Sequence, residues 1–376
     1  MYKNYPYSAS DKALFDALNQ SKIPLSELRE YFLSKGVIVS SQTSREELAK
    51  NLSRYIHDYY DHQKIASKLG VSNRKERNTA KFLPNDITTQ QVENAARLLI
   101  QQINQEGDLC QLYKNKDGSF VLDATYEVLD FKKGEFSQVV KKNAKVKIEF
   151  SDSGVVVRRP DNEFTQKWEE SLLINIENEI GRELVDEVEQ IHLSNISDPK
   201  VRTEFFVQLI SSIGNYEVYD VSDVHIYHPE PENVDIELEL DCDETYDKNS
   251  VHIRRASLAG QGVLESEELN ALYEKDFYIW KIRWRLKKKS DSQSNIYTFE
   301  AQFNNPEDCL DFSYSSKGMR KYKGNSEHNK TSVPLASEEE LMFNQLIEDC
   351  ARKLSRDLIE QALGDVKDDT SSNQVA

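Results

Sequence analysis

The sequence predicts an α+β protein: a small all-helical N-terminal head, then a body of antiparallel sheet and helices, expected as two related α-β(n)-α units. Three observations carry this. Apolar residues recur at helical spacing through the first 83 positions. Period-two alternation follows in several later runs, most clearly VDIELELDCDE (234–244) and DFYIWKIRWRLKKK (276–289). The order helix, strands, helix then occurs twice.

In the head, IPLSELREYFLSKG sets Leu25, Leu28, Tyr31 and Phe32 on one stripe, with Gly36 as the stop. An extended VIVSSQ leads to Thr43 or Ser44 as the N-cap of a second helix, with Glu46 and Glu47 early in it and Leu48, Leu52, Tyr55 and Ile56 as its stripe. Residues 62–83 follow, where IASKLGVS has a small Ala66 four residues before Gly70. A further helix is expected over Asn73–Phe82. LPNDITTQ (83–90) is rich in breakers and marks a boundary.

The body starts with a helix ending near Gly107. Strands are expected at Phe120–Phe131, Lys145–Phe150 and Gly154–Arg159, then a helix over Asp161–Gly181. The second pass has a helix in VRTEFFVQLISSIG and strands near Asp223–Tyr227, Val234–Asp243, Val251–Ala256, Tyr278–Lys287, Ile296–Phe303 and Cys309–Ser315. A final amphipathic helix covers Ser337–Leu363. The expected domains are 1–86, 87–195 and 196–365, with 366–376 as a disordered tail.

The two alternating runs complement each other. Asp235, Glu237, Glu239, Asp241 and Asp243 share one face of the first; Lys281, Arg283, Arg285 and Lys287 share one face of the second, opposite Trp280, Ile282, Trp284 and Leu286. As near neighbours in one sheet they would form a charge ladder. Each exposed pair contributes only about 0.2–1 kcal/mol, but a one-residue slip would bury every charge, so the ladder fixes register.

Composition limits the function classes. The chain has 376 residues and a net charge of −17. Residues 1–90 carry 14 Lys/Arg against 10 Asp/Glu, whereas the remainder carries 34 against 55. A basic head on an acidic body implies a division of labour, the acidic part repelling phosphate backbones except at local basic patches. No apolar run is long enough to span a bilayer, and no basic-then-apolar leader opens the chain. Cys110, Cys242, Cys309 and Cys350 are far apart and form no CxxC pair, which suits reduced thiols and a cytoplasmic location.

Leu25, Leu28, Gly36, Arg45, Leu48 and Leu52 give residues 23–58 a pattern that resembles the SAP and HeH-type helix–extended–helix modules, and less closely the N-terminal module of Rho. The loop here is longer and lacks the usual second glycine. The resemblance implies a small nucleic-acid-binding unit whose basic residues would be Lys35, Arg45, Lys50 and Arg54. Residues 62–83 resemble part of a helix-turn-helix, which adds Arg74, Lys75, Arg77 and Lys81 on the recognition helix; Glu76 and Thr79 stand where that family has apolar residues. Six basic groups face one acid over 62–81, and clustered cations are what backbone contact needs.

No GxSxG, HExxH or P-loop occurs, and glycine is scarce at 13 residues, so no cofactor is expected. The leading expectation is a non-enzymatic accessory or sensor protein of a DNA-acting system, phage defence for example. Its head would bind duplex DNA, its acidic body a protein partner or a second copy, with no membrane. One alternative is a metal-dependent nuclease subunit. Asp235 and Glu237, about 6.5–7 Å apart at Cα, would share a cation. Another is a purely structural assembly protein.

Overall fold

The computed structural model describes residues 9–69, 76–229, 254–260 and 262–372. The fold is α+β, and the chain divides into two compact units. Unit 1 holds Met1–Lys75 and Asn85–Leu184; unit 2 holds Glu76–Pro84 and Val185–Ala376.

The head consists of α1 (Asp11–Leu18), α2 (Leu25–Ser34), α3 (Arg45–Leu52) and α4 (Tyr59–Leu69). Leu14, Leu18, Leu28, Phe32, Leu48, Leu52, Ile65 and Leu69 form its core. Ser44 caps α3 by accepting from the Glu47 N–H, as its position before a Glu pair predicts. One expectation fails here. The helix stops at Leu52, so Tyr55 and Ile56 leave the stripe and stand exposed. Side chains close the helix end: the Ser53 hydroxyl donates to the Lys50 carbonyl, and His57 Nε2 meets the Leu52 carbonyl at 2.9 Å.

After α4, the described part of the expected recognition helix over Asn73–Phe82 is extended from Asn78 onward. Asn78–Leu83 form strand β1, which joins unit 2. The period-two burial of Ala80 and Phe82, alternating with Thr79 and Lys81, explains the outcome: sheet pairing overrides local helix propensity.

Unit 1 continues with α5 (Thr89–Gln105), β2 (Leu109–Lys114), β3 (Phe120–Leu129), β4 (Val139–Ser151), β5 (Gly154–Pro160) and α6 (Glu163–Ile180). Thr88 and Gln91 make a capping box on α5. Within the unit the strands run antiparallel in the order β2-β3-β4-β5. α5 and α6 pack together, burying Val92, Ala96, Leu99, Trp168, Leu172 and Ile176. The turn between β3 and β4 buries Phe136 in the head's core, so head and sheet share one apolar cluster.

Unit 2 adds α7 (Pro199–Ser211), β6 (Tyr216–Tyr227), β7 (Arg255–Ala259), α8 (Glu267–Tyr273), β8 (Tyr278–Lys288), β9 (Ile296–Asn305), β10 (Leu310–Arg320), β11 (Tyr322–Gly324), β12 (Glu327–His328) and α9 (Ser337–Ser372). Its main sheet runs β1-β10-β9-β8-β6-β7, antiparallel throughout. α7 and α9 pack together, and Phe205, Phe206 and Phe343 meet Phe299, Phe303 and Phe312 in an aromatic core. Both units thus run helix, antiparallel strands, helix, with the bracketing helices in contact. α9 continues past Leu363 to Ser372; no proline interrupts it, and the single Gly364 costs only about 1 kcal/mol in a helix.

The acidic run 234–244, with Asp235 and Glu237, lies outside the described residues. β8 itself pairs with β6 on one edge and, over Lys281–Leu286, with β9 on the other. Trp280 also departs from expectation. A register shift opposite His225 and Ile226 takes it out of phase, and its ring lies against His225 and Arg255.

Candidate nucleic-acid interface

The unit 2 sheet has two unlike faces. Ile282, Trp284, Leu286, Phe299, Ala301, Phe303 and Tyr314 are buried on one. The other is polar and laid out in rows by the strand register. Asp223, Arg283, Glu300 and Ser315 stand side by side across β6, β8, β9 and β10; His225, Lys281, Gln302 and Ser313 form the next row.

Glu300 is the centre of this face, only 2% exposed. Arg283 spans two carboxylates, donating from Nη2 to Glu300 at 2.7 Å and from Nη1 to Asp223 at 3.3 Å. Lys317 Nζ lies 3.1 Å from Glu300, Lys281 Nζ 3.6 Å and Arg77 Nη1 3.9 Å. Arg77 also donates to the Ser313 hydroxyl at 3.1 Å. Burial by itself would raise the Glu300 carboxyl, but the Arg283 hydrogen bonds and the Lys317 and Lys281 charges overcome it and hold the group down at about 2. Burial pulls the Lys281 ammonium below the ordinary lysine value, helped by Arg77, Arg283 and Lys317 and opposed by Glu300. Burial and Lys281 likewise lower His225. Further along β8, Arg285 pairs with Asp220 at 2.9 Å and Lys287 with Glu217 at 3.2 Å.

A bulge places Lys317. The β10–β9 register shifts between Ser316 and Gly318, and Gly318 has φ 113°, a conformation that favours glycine. A Cβ there would sit 2.6 Å from the Val333 carbonyl oxygen, whose residue pairs with Met319.

Chemically, the side chains of Arg77, Lys281, Arg283 and Lys317 converge on the Glu300 carboxylate, on a chain of net charge −17. Ser315 Oγ is buried beside Glu300 with no hydrogen-bond partner. The face therefore offers its partly exposed cations to an anion. Glu300 stays ionised near neutrality and cannot serve there as a general acid. The buried thiols are poor nucleophiles, since burial pushes Cys110 up to about 11, Cys309 to about 12 and Cys350 to about 11. Among the described residues no group of three His, Cys, Asp or Glu could hold a metal ion.

The basic residues expected in the head have different surroundings where they are described. Lys35 is tied to Asp61 at 2.6 Å. Arg45 donates to the Leu18, Gln20 and Ile23 carbonyls, an internal clasp on the end of α1. Lys50 and Arg54 are exposed. Arg74 and Lys75 lie outside the described residues. Arg77 belongs to the sheet face of unit 2, and Lys81 is in β1. Sequence reasoning missed Glu300 and Lys317. The signal for Glu300 was present: it is the one charge in IYTFEAQF, an otherwise uncharged strand.

No protein-family model matches the chain, and no curated protein matches it. Among solved structures, DynU16, a protein of the dynemicin biosynthetic locus, aligns at 8% identity over 76% of this chain and 98% of its own, with a TM-score of 0.18. No described helix is long and apolar enough to cross a membrane.

Proposed function

We propose that this chain is a non-catalytic nucleic-acid-binding protein, an accessory or sensor subunit working in the cytoplasm, whose phosphate contacts centre on the polar sheet face of unit 2. The observation that carries the reading is the convergence of Arg77, Lys281, Arg283 and Lys317 on Glu300. Phosphate contact needs fixed cations, and the affinity it yields comes from counterion release. Glu300 holds the four cations in place before a ligand arrives, which reduces the ordering cost of binding. The acidic remainder of the body is left for a protein partner or a second copy.

Fluorescence anisotropy of the full chain with labelled DNA tests this. Binding should weaken steeply as salt rises, and Arg77→Gln with Lys317→Gln should flatten the log–log salt slope by about 1–2 while lowering affinity for all sequences alike. Absence of binding at low salt, or a slope unchanged in the double variant, would overturn the assignment.

A further inference from the structure

In the stretch KNLSRYIHDYY (50–60), Ile56 is 90% exposed, Tyr60 76% and Tyr55 39%. Two more exposed residues lie close in sequence to the α2 end that touches this stretch: Leu33 near the end of α2 and Ile38, 89% exposed, in the loop after it. These segments are held together. Phe32 meets the Tyr55 ring edge-on at 5.7 Å between centroids, Lys35 bridges to Asp61, and Tyr59 packs against Tyr60 at 5.8 Å. An exposed aromatic and aliphatic group on a highly charged chain calls for an occupant.

The surrounding charge says which occupant. Lys50 and Arg54 are exposed, with no ion pair among the described residues. Two acids beside the tyrosines are engaged: Asp61 takes Lys35, and the Asp58 carboxylate accepts the Asp61 backbone N–H at 2.8 Å. What remains for a ligand is two cations followed directly by tyrosine rings and an isoleucine. Duplex DNA presents phosphates but keeps its base faces stacked inside, so it would leave Tyr60, Ile56 and Ile38 wet. An unpaired strand presents both phosphates and base faces.

We infer that the corner formed by α2, the turn after α3 and the start of α4 is a single-strand nucleic-acid site, with Lys50 and Arg54 on the phosphates and Tyr55 and Tyr60 stacking on bases. It rests on the nucleic-acid reading above and replaces duplex DNA as the ligand of the head. The site requires no unfolding of the helices, because its side chains are already outside the core.

The experiment compares oligo-dT with a blunt duplex on the full chain, wild type against Tyr60→Ala and Tyr60→Phe. Tyr60 is chosen because its exposure lets it be cut back without opening the core. Tyr60→Ala should weaken oligo-dT binding by roughly 5- to 100-fold, the range for one lost stacking contact. Tyr60→Phe should retain the affinity, and duplex binding should be unaffected by either change. Arg54→Gln should reduce oligo-dT binding and its salt slope together. If the wild type binds duplex as well as oligo-dT and Tyr60→Ala alters neither, the single-strand site is wrong while the nucleic-acid reading stands. If neither DNA binds, the nucleic-acid reading itself fails. If Tyr60→Ala instead turns a dimer into a monomer in sedimentation, the corner is a self-contact and the inference is overturned.

Discussion

Glu300→Gln is the sharpest perturbation the structure offers. The substitution keeps shape and a hydrogen-bond acceptor but removes the charge that Arg283, Lys317, Lys281 and Arg77 surround. In the folded chain the carboxyl lies at about 2, against an ordinary value of 4.5. A depressed carboxyl contributes stability that is complete above its unfolded value and is lost as pH falls through its folded value. At ~1.4 kcal/mol per pH unit the contribution at pH 7 is roughly 3 kcal/mol, within the range of about 3–5 found when one partner of a buried pair is removed. By pH 3 the unfolded carboxyl is already protonated, and the contribution falls to about half.

Urea unfolding of Glu300→Gln against the parent should therefore show a cost of about 3 kcal/mol at pH 7 that halves by pH 3. Trp280 and Trp284, both in unit 2, report the transition in a Trp168→Phe background. Sulfate should stabilise the variant more than the parent, because an anion can occupy the vacated charge. A cost below about 1 kcal/mol at pH 7, or one that does not change with pH, would refute the assignment of Glu300 as the electrostatic centre of the face.

Other outcomes follow from the same geometry. Gly318→Ala should destabilise unit 2 and weaken DNA binding together, since its Cβ meets the Val333 carbonyl and Lys317 sits on the bulge; melting and anisotropy check this. Phe136→Ala should cost roughly 3–5 kcal/mol and speed hydrogen exchange in the head, whereas Phe131→Ala, on the same turn but 77% exposed, should be neutral. Glu217→Lys and Lys287→Glu should each cost under about 1 kcal/mol in urea unfolding, with the double reversal recovering most of the loss. Asn104→Ala should promote self-association in light scattering, because the Asn104 amide bonds both the N–H and the C=O of Cys110 on edge strand β2 and so blocks part of that edge.

Where one rule governed a segment, the sequence foretold the structure. The capped helices at Ser44 and Thr88, the alternation of β8 and the helix-strands-helix order were all readable. The cationic face of β8 was readable too, but its partners were not. Asp220 and Asp223 both pair with β8 although they are three residues apart, because register shifts after Val218 and after Val221 break the two-residue period of β6. A regular acidic run elsewhere therefore looked like the better complement. Strand β1, at the end of the basic cluster 62–81, was not readable for a related reason. The cluster's charge is real, but Arg77 and β1 belong to a different unit from α4, and only tertiary pairing decides that.

The same bulges bear on what the face is for. A sheet face that only met water could keep a plain alternation of charges along paired strands, each pair contributing little and none buried. Here the chain buries Glu300, Gln302, Ser313 and Ser315, bends β6 to bring two acids beside Arg283 and Arg285, and bends β10 at a glycine to bring Lys317 to Glu300. Burying a carboxylate is costly, and replacing such a cluster with apolar residues is often neutral or stabilising by about 1–4 kcal/mol. Stability alone therefore gives little reason for this arrangement. Holding four cations at fixed positions around Glu300 gives a better one: an anion can share those cations without any of them having to be ordered on binding.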